Sequence, residues 1–150
     1  MKYQKSKSTL FLMELMIAIC FFAITSAVCV QVFAKAHLVS ETTRNLNHAI
    51  AQSESVAESF RACNGNLLDI AELFPSGVLK DNMLTIDYGK DWQPCARKTS
   101  GAYRLILTAD EDASVTDTNA RLVSAKIAVV KSSDGSEIYS LAVQKFVKGT

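Results

Sequence analysis

The first 64 residues contain neither glycine nor proline: the earliest glycine is Gly65, and the two prolines are Pro75 and Pro94. Without these breakers nothing in the stretch forces a turn or a left-handed backbone, so helix is permitted throughout. A charge bias is also lacking. The 150 residues carry 16 Lys+Arg and 15 Asp+Glu, a formal net charge of +1. Lys2, Lys5 and Lys7 lie at the extreme N-terminus; setting them and Glu14 aside leaves thirteen basic and fourteen acidic residues. Such a near-neutral surface has no field to steer nucleic acid, and no direct nucleic-acid binding is expected. Gly-x-Ser-x-Gly, phosphate-loop, zinc-spacing and dinucleotide signatures are all absent. The only histidines are His37 and His48. Eleven residues apart on one helix, they stand about 16 Å apart and cannot share a metal, so both read as solvated helix-surface residues. His48 with Cys63 matches no nucleophile–base signature. No catalysis and no cofactor are expected.

What is present is one long apolar run, Leu10 to Ala34, LFLMELMIAICFFAITSAVCVQVFA. As a helix of about 25 residues it extends roughly 37 Å, enough to cross a hydrocarbon core of about 30 Å. Its single charge is Glu14. A carboxylate at the centre of a membrane helix costs roughly 2.5–3.5 kcal/mol; one turn inside the end it costs less, but it still needs a partner. The three leader lysines keep the N-terminus cytoplasmic and send the rest across. The competing reading is a cleaved secretory signal ending near Phe33-Ala34-Lys35-Ala36. The run is too long for a typical apolar core of about 7–15 residues and carries an acid inside it, so a single-pass anchor in the cytoplasmic (inner) membrane is preferred.

Leu12-Met13-Glu14-Leu15-Met16-Ile17-Ala18-Ile19 resembles the N-terminal signature of type IV pilins and the type II secretion pseudopilins. In that family a short basic leader precedes a helix whose fifth mature residue is glutamate. The resemblance places the leader-processing junction at Thr9–Leu10 and makes Glu14 the assembly residue. It implies that Glu14 neutralises the N-terminal amine of an adjacent subunit as helices pack into a filament. The partners implied are other pilin-like subunits, the membrane, an assembly platform and a prepilin peptidase. The resemblance covers about the first third of the chain. Thr9 stands where the family leader ends in glycine, so the leader site is degenerate, and the family's helix-kinking prolines are missing. The small size and irregular leader imply a minor component.

Beyond the apolar run the helix is expected to continue to about Ala62. Val39, Thr43, Leu46, Ile50, Ser53, Ala57 and Phe60 recur at spacings of three and four, one stripe able to cover a sheet. A free coiled coil is the alternative, with Thr43 and Ser53 as poor seam residues. Asn64 or Gly65 ends the helix in the left-handed conformation. A short helix or a turn is expected over 67–74, closed by Pro75-Ser76-Gly77. Strands are expected over 83–88, 101–109, 121–131 and 137–147, the last two joined by a hairpin at Asp134-Gly135. In the last, Tyr139, Leu141, Val143, Lys145 and Val147 form the core face. The fold class is therefore α+β: a long N-terminal helix on a small antiparallel sheet, which agrees with the pilin domain but is reached from periodicity. The organisation is a basic leader over 1–9, a membrane and assembly helix over 10–35, and an exported helix-on-sheet domain over 36–150.

Cys20 and Cys29 fall inside the apolar run and read as small hydrophobes. Cys63 and Cys95 fall in the exported part, where a disulfide between them is expected; the alternative is two buried thiols. Asp110, Asp112 and Asp117 lie in an acidic loop that offers a weak calcium candidate, against the preferred reading of a solvated turn. Tyr88 and Trp92 either pack on the sheet or mark a subunit contact. The functional expectation is a structural filament subunit serving secretion, adhesion or DNA uptake. The rival is a membrane-anchored solute-binding or enzymatic domain.

Overall fold

The computed structural model describes residues 5–96, 100–110, 115–117 and 120–148. The chain divides into two compact units, Met1–Thr43 and Arg44–Thr150. One helix, α1 (Lys5–Ala62), runs through both, without a break between Ala34 and Val39. It starts earlier than the apolar run requires, so Thr9 and Leu10 are both helical. Its end is built by Asn64 and Gly65, both left-handed at φ 54° and 78°. The Gly65 amide donates to the Phe60 carbonyl and the Asn64 amide to that of Arg61, the paired bonds that close a helix with a left-handed residue. Lys145 Nζ also donates to the Arg61 carbonyl, clipping the last turn to the sheet.

Asn66 caps the second helix, α2 (Leu67–Leu73), accepting from the Leu68 amide at 3.1 Å. Six strands follow: β1 (Val78–Lys80), β2 (Met83–Tyr88), β3 (Tyr103–Asp110), β4 (Val115–Asp117), β5 (Ala120–Lys131) and β6 (Glu137–Lys148). All pairs are antiparallel, in the order β1-β2-β3-β5, with β4 and β6 also on β5. The Asp134-Gly135 hairpin forms as expected: Gly135 sits at φ 70°, and the Lys131 amide donates to the Ser136 carbonyl. Gly101 precedes β3 because a Cβ there would collide with the Tyr88 backbone. The strands β1 and β4 have three residues each, too few for an alternating pattern to register.

In the second unit the fold is the expected helix on a sheet. Ala49, Val56, Ala57 and Phe60 of α1 join Leu84, Ile86, Leu105, Leu107, Ile127, Val129 and Val143 in the core. The core face of β6 is the expected one, with Val143 buried and Tyr139 and Leu141 packed against it. The helical stripe is not placed quite as its periodicity suggests. Val39 and Thr43 are exposed, Leu46 and Ile50 are half-buried at the margin, and Ala49 and Val56 take the centre. Ser53, Ala57 and Phe60 are buried as expected, so the contact line is turned toward Ala49 and Val56 only in its first half.

Ser53 lies on that line, 0% exposed, and its hydroxyl has no hydrogen-bond partner among the described residues. Ser53→Ala removes a buried polar atom and leaves the contact surface nearly unchanged. It is expected to stabilise the fold by about 1–2 kcal/mol, read as a rise in urea midpoint at constant slope. A fall in the midpoint would mean the hydroxyl is bonded in solution.

Candidate functional site

The first unit is a helix with nothing folded around its apolar part. Among the described residues, one helix is long and apolar enough to cross a membrane, and none of its apolar window is buried within the protein. Phe22 and Phe33 are 76% and 77% exposed. Thr25 Oγ1 donates to the Phe21 carbonyl at 2.8 Å, satisfying its hydroxyl inside the helix, as an apolar surround demands. Glu14 has no such resource. It is exposed, and the side chains one turn away in either direction are Leu10, Phe11, Ile17 and Ala18. A partner for its carboxylate must come from outside this face of the helix. Thr9 and Leu10 lie one turn before it, on the same helix.

In the second unit an aromatic cluster ties the helix to the sheet. Trp92, 5% exposed, stacks on Tyr103 with ring centroids 4.2 Å apart and on His48 at 5.6 Å. Its Nε1 donates to Asn45 Oδ1 at 3.2 Å, and Tyr88 Oη donates to Gln52 Oε1 at 3.2 Å. Packing on the domain is thus the outcome for both aromatics left open by the sequence. His48 is a half-buried stacking partner, not a solvated surface residue. The sequence singles out neither Asn45 nor Gln52; only the fold reveals that each anchors an aromatic ring.

Burial pushes the Tyr88 phenol up to about 12 from its ordinary 10.0. The folded chain therefore keeps that proton at pH values where the unfolded chain releases it. The resulting stabilisation is complete below pH 10 and is lost as pH rises toward 12, at most about 2–3 kcal/mol. Tyr88→Phe is expected to cost about 1 kcal/mol at pH 7, through the lost bond to Gln52. The stability difference between the two proteins should shrink, then reverse, between pH 10 and 12. A constant difference across that window would refute the assignment.

The expected Cys63–Cys95 disulfide is not formed; both are free, half-buried thiols. The reason is their place along the sheet. Asn64, beside Cys63, lines one cleft with Asn82 just before β2, whereas the Cys95 amide donates to the Asp87 carbonyl near the far end of that strand. Asn82 and Asp87 stand toward opposite ends of β2, so the two thiols belong to different levels of the sheet. Sequence separation alone does not reveal such a difference in level.

The acidic loop assembles no metal site among the described residues. Asp110 instead accepts a hydrogen bond from Ser124 Oγ at 3.2 Å. Asp112 lies outside the described residues, and Asp117 belongs to β4, paired with Ala120. A cleft of about 750 Å³ opens where α1 ends, lined by residues that include Asn64, Lys80, Asp81 and Arg121. Arg104 on β3 pairs bidentately with Asp87 on β2, with Nε–Oδ1 at 2.7 Å. That hydrogen bond and its attendant charge hold the guanidinium above its ordinary range. This salt bridge ties β2 to β3.

The chain matches no protein-family model, no curated protein and no solved structure.

Proposed function

We propose that the chain is a structural subunit, of the minor kind, of a pilin-like or pseudopilin-like filament. The observation that carries this reading is α1 itself. One unbroken helix has an apolar, uncovered first half with a lone carboxylate and a second half that closes a β-sheet core. Such a subunit waits in the cytoplasmic membrane with its N-terminus inside and its second unit exported. On assembly the apolar halves of neighbouring helices cover one another. Glu14 sets their register by meeting a neighbour's cation, the Leu10 amine after removal of the leader at Thr9–Leu10. A prepilin peptidase and an assembly platform are the partners this requires. Secretion, adhesion and DNA uptake are the uses such filaments have.

The rival, a membrane-anchored solute-binding or enzymatic domain, would use a cleft such as the one at the end of α1. The two readings separate on Glu14. A filament subunit loses incorporation when the carboxylate is removed, and an anchored domain is indifferent to it. The experiment is a comparison of membrane-bound and filament-bound protein for the wild type and Glu14→Ala.

A further inference from the structure

The chain contains six asparagines, and only Asn64 is followed by glycine. The pair stands where α1 ends, and the Asn64 side chain is exposed, lining the cleft there. Asparagine before glycine has a chemistry of its own. With no side chain on the following Cα, the next backbone nitrogen is free to attack the asparagine side-chain amide. In that reaction the Gly65 nitrogen bonds to Asn64 Cγ, the bond from Cγ to the side-chain nitrogen breaks, and ammonia leaves with the Gly65 amide proton. Water then opens the succinimide at either carbonyl, leaving aspartate or isoaspartate.

Ring closure requires the Gly65 nitrogen to eclipse Asn64 Cβ about the Cα–C bond. Asn64 sits at φ 54°, in the left-handed region, where a ψ of about +47° sets that nitrogen nearly opposite Cβ. Three successive amides hold it so. Asn64 donates to the Arg61 carbonyl at 3.4 Å, Gly65 to that of Phe60 at 2.9 Å and Asn66 to that of Cys63 at 2.9 Å. Gly65 is also hemmed in: a Cβ there would lie 3.1 Å from Val123 and 3.3 Å from the Phe60 ring. While these contacts stand, its nitrogen neither turns to Cγ nor gives up its proton. We propose that Asn64 is a deamidation site gated by the closure of α1, shut in the folded chain and open in any copy whose last helical turn has come apart. The product changes the fold it came from. Isoaspartate carries the main chain through the former side chain, adding one carbon before Gly65 and displacing it from Phe60 and Val123. Aspartate adds a negative charge where the last carbonyls of α1 concentrate theirs. A copy modified while open therefore closes less readily, and the step is irreversible. The gate operates whether or not the chain assembles into a filament.

The test incubates the full chain in detergent micelles at neutral pH, folded and in urea, then digests it in acid. The peptide holding residue 64 is assayed by mass and for isoaspartate. A synthetic peptide spanning residues 59–69 sets the ungated rate. The chain in urea should convert at the rate of that peptide, and the folded chain at least about tenfold more slowly. Asn66 and Asn82, followed by leucine and methionine, are internal controls and should persist in both. Lys145→Ala removes the ammonium that clips the Arg61 carbonyl, and should raise the folded rate by roughly threefold. A folded rate close to the urea rate would overturn the gate, and persistence of Asn64 in urea would overturn the site. A folded rate unmoved by Lys145→Ala would overturn the part given to the last turn of α1.

Discussion

Glu14→Ala is expected to leave the chain folded and inserted in the membrane, and to remove nearly all of it from assembled filaments. Glu14 belongs to the first unit, so the core built by α1, α2 and the sheet in the second does not include it. Insertion should become easier, because a carboxylate leaves an otherwise apolar run. Assembly is where the cost falls. On the proposed filament reading, the neighbour's cation is desolvated together with Glu14, and removing one member leaves the other buried without countercharge. That costs about 3–5 kcal/mol. At about 1.4 kcal/mol per factor of ten, incorporation drops by roughly two to three orders of magnitude. Glu14→Gln separates charge from shape: it keeps the size and a hydrogen-bonding oxygen, and should fail almost as badly. If the leader is retained, the cation is supplied by Lys7 of a neighbour, since Lys7 and Glu14 of one chain lie about two helical turns apart. Lys7→Ala should then reproduce the Glu14→Ala loss. Equal incorporation of wild type and Glu14→Ala would move the assignment to an anchored domain.

The parts of this fold that were legible in sequence are those with a long period. The helix declared itself through 64 residues without a breaker, and strands β2, β3, β5 and β6 through alternation over six or more residues. The rotation of the helix on the sheet was less legible. Ser53, Ala57 and Phe60 are buried as the stripe requires, but Leu46 and Ile50 outrank Ala49 in hydrophobicity and yet lie at the margin while Ala49 is fully buried. The sheet-level distance between Cys63 and Cys95 depends on strand register, which no local pattern encodes. Glu14 stands out in sequence because a charge in an apolar run is expensive enough to require a reason, and its role is what the incorporation experiment decides. The stack of Trp92 on His48 and Tyr103 was not legible, because it joins residues from separate elements whose packing only the fold defines.

Trp92 presents the reverse case, a residue in a short loop whose removal should cost more stability than most core truncations. Trp92→Ala is expected to destabilise the second unit by about 3–5 kcal/mol, through lost stacking on Tyr103 and His48 and an Asn45 carbonyl left without its donor. A loss that large is a substantial part of the roughly 5–15 kcal/mol that holds a domain together. The backbone offers a second, independent check. Trp92 sits at φ 61°, in the left-handed region, where a bulky residue is an outlier. Alanine inherits that strain, and glycine does not. Trp92→Gly should therefore be less destabilising than Trp92→Ala by about 1 kcal/mol, the opposite of their usual order in a regular element. Chemical denaturation of the three proteins reads both quantities, with membrane levels recorded to separate unfolding from proteolysis. Equal losses for Ala and Gly would show that the loop relaxes once the ring is gone. A loss under about 1 kcal/mol for both would show that the stack does not hold the loop to the helix, and that Gln52 on Tyr88 suffices to do so.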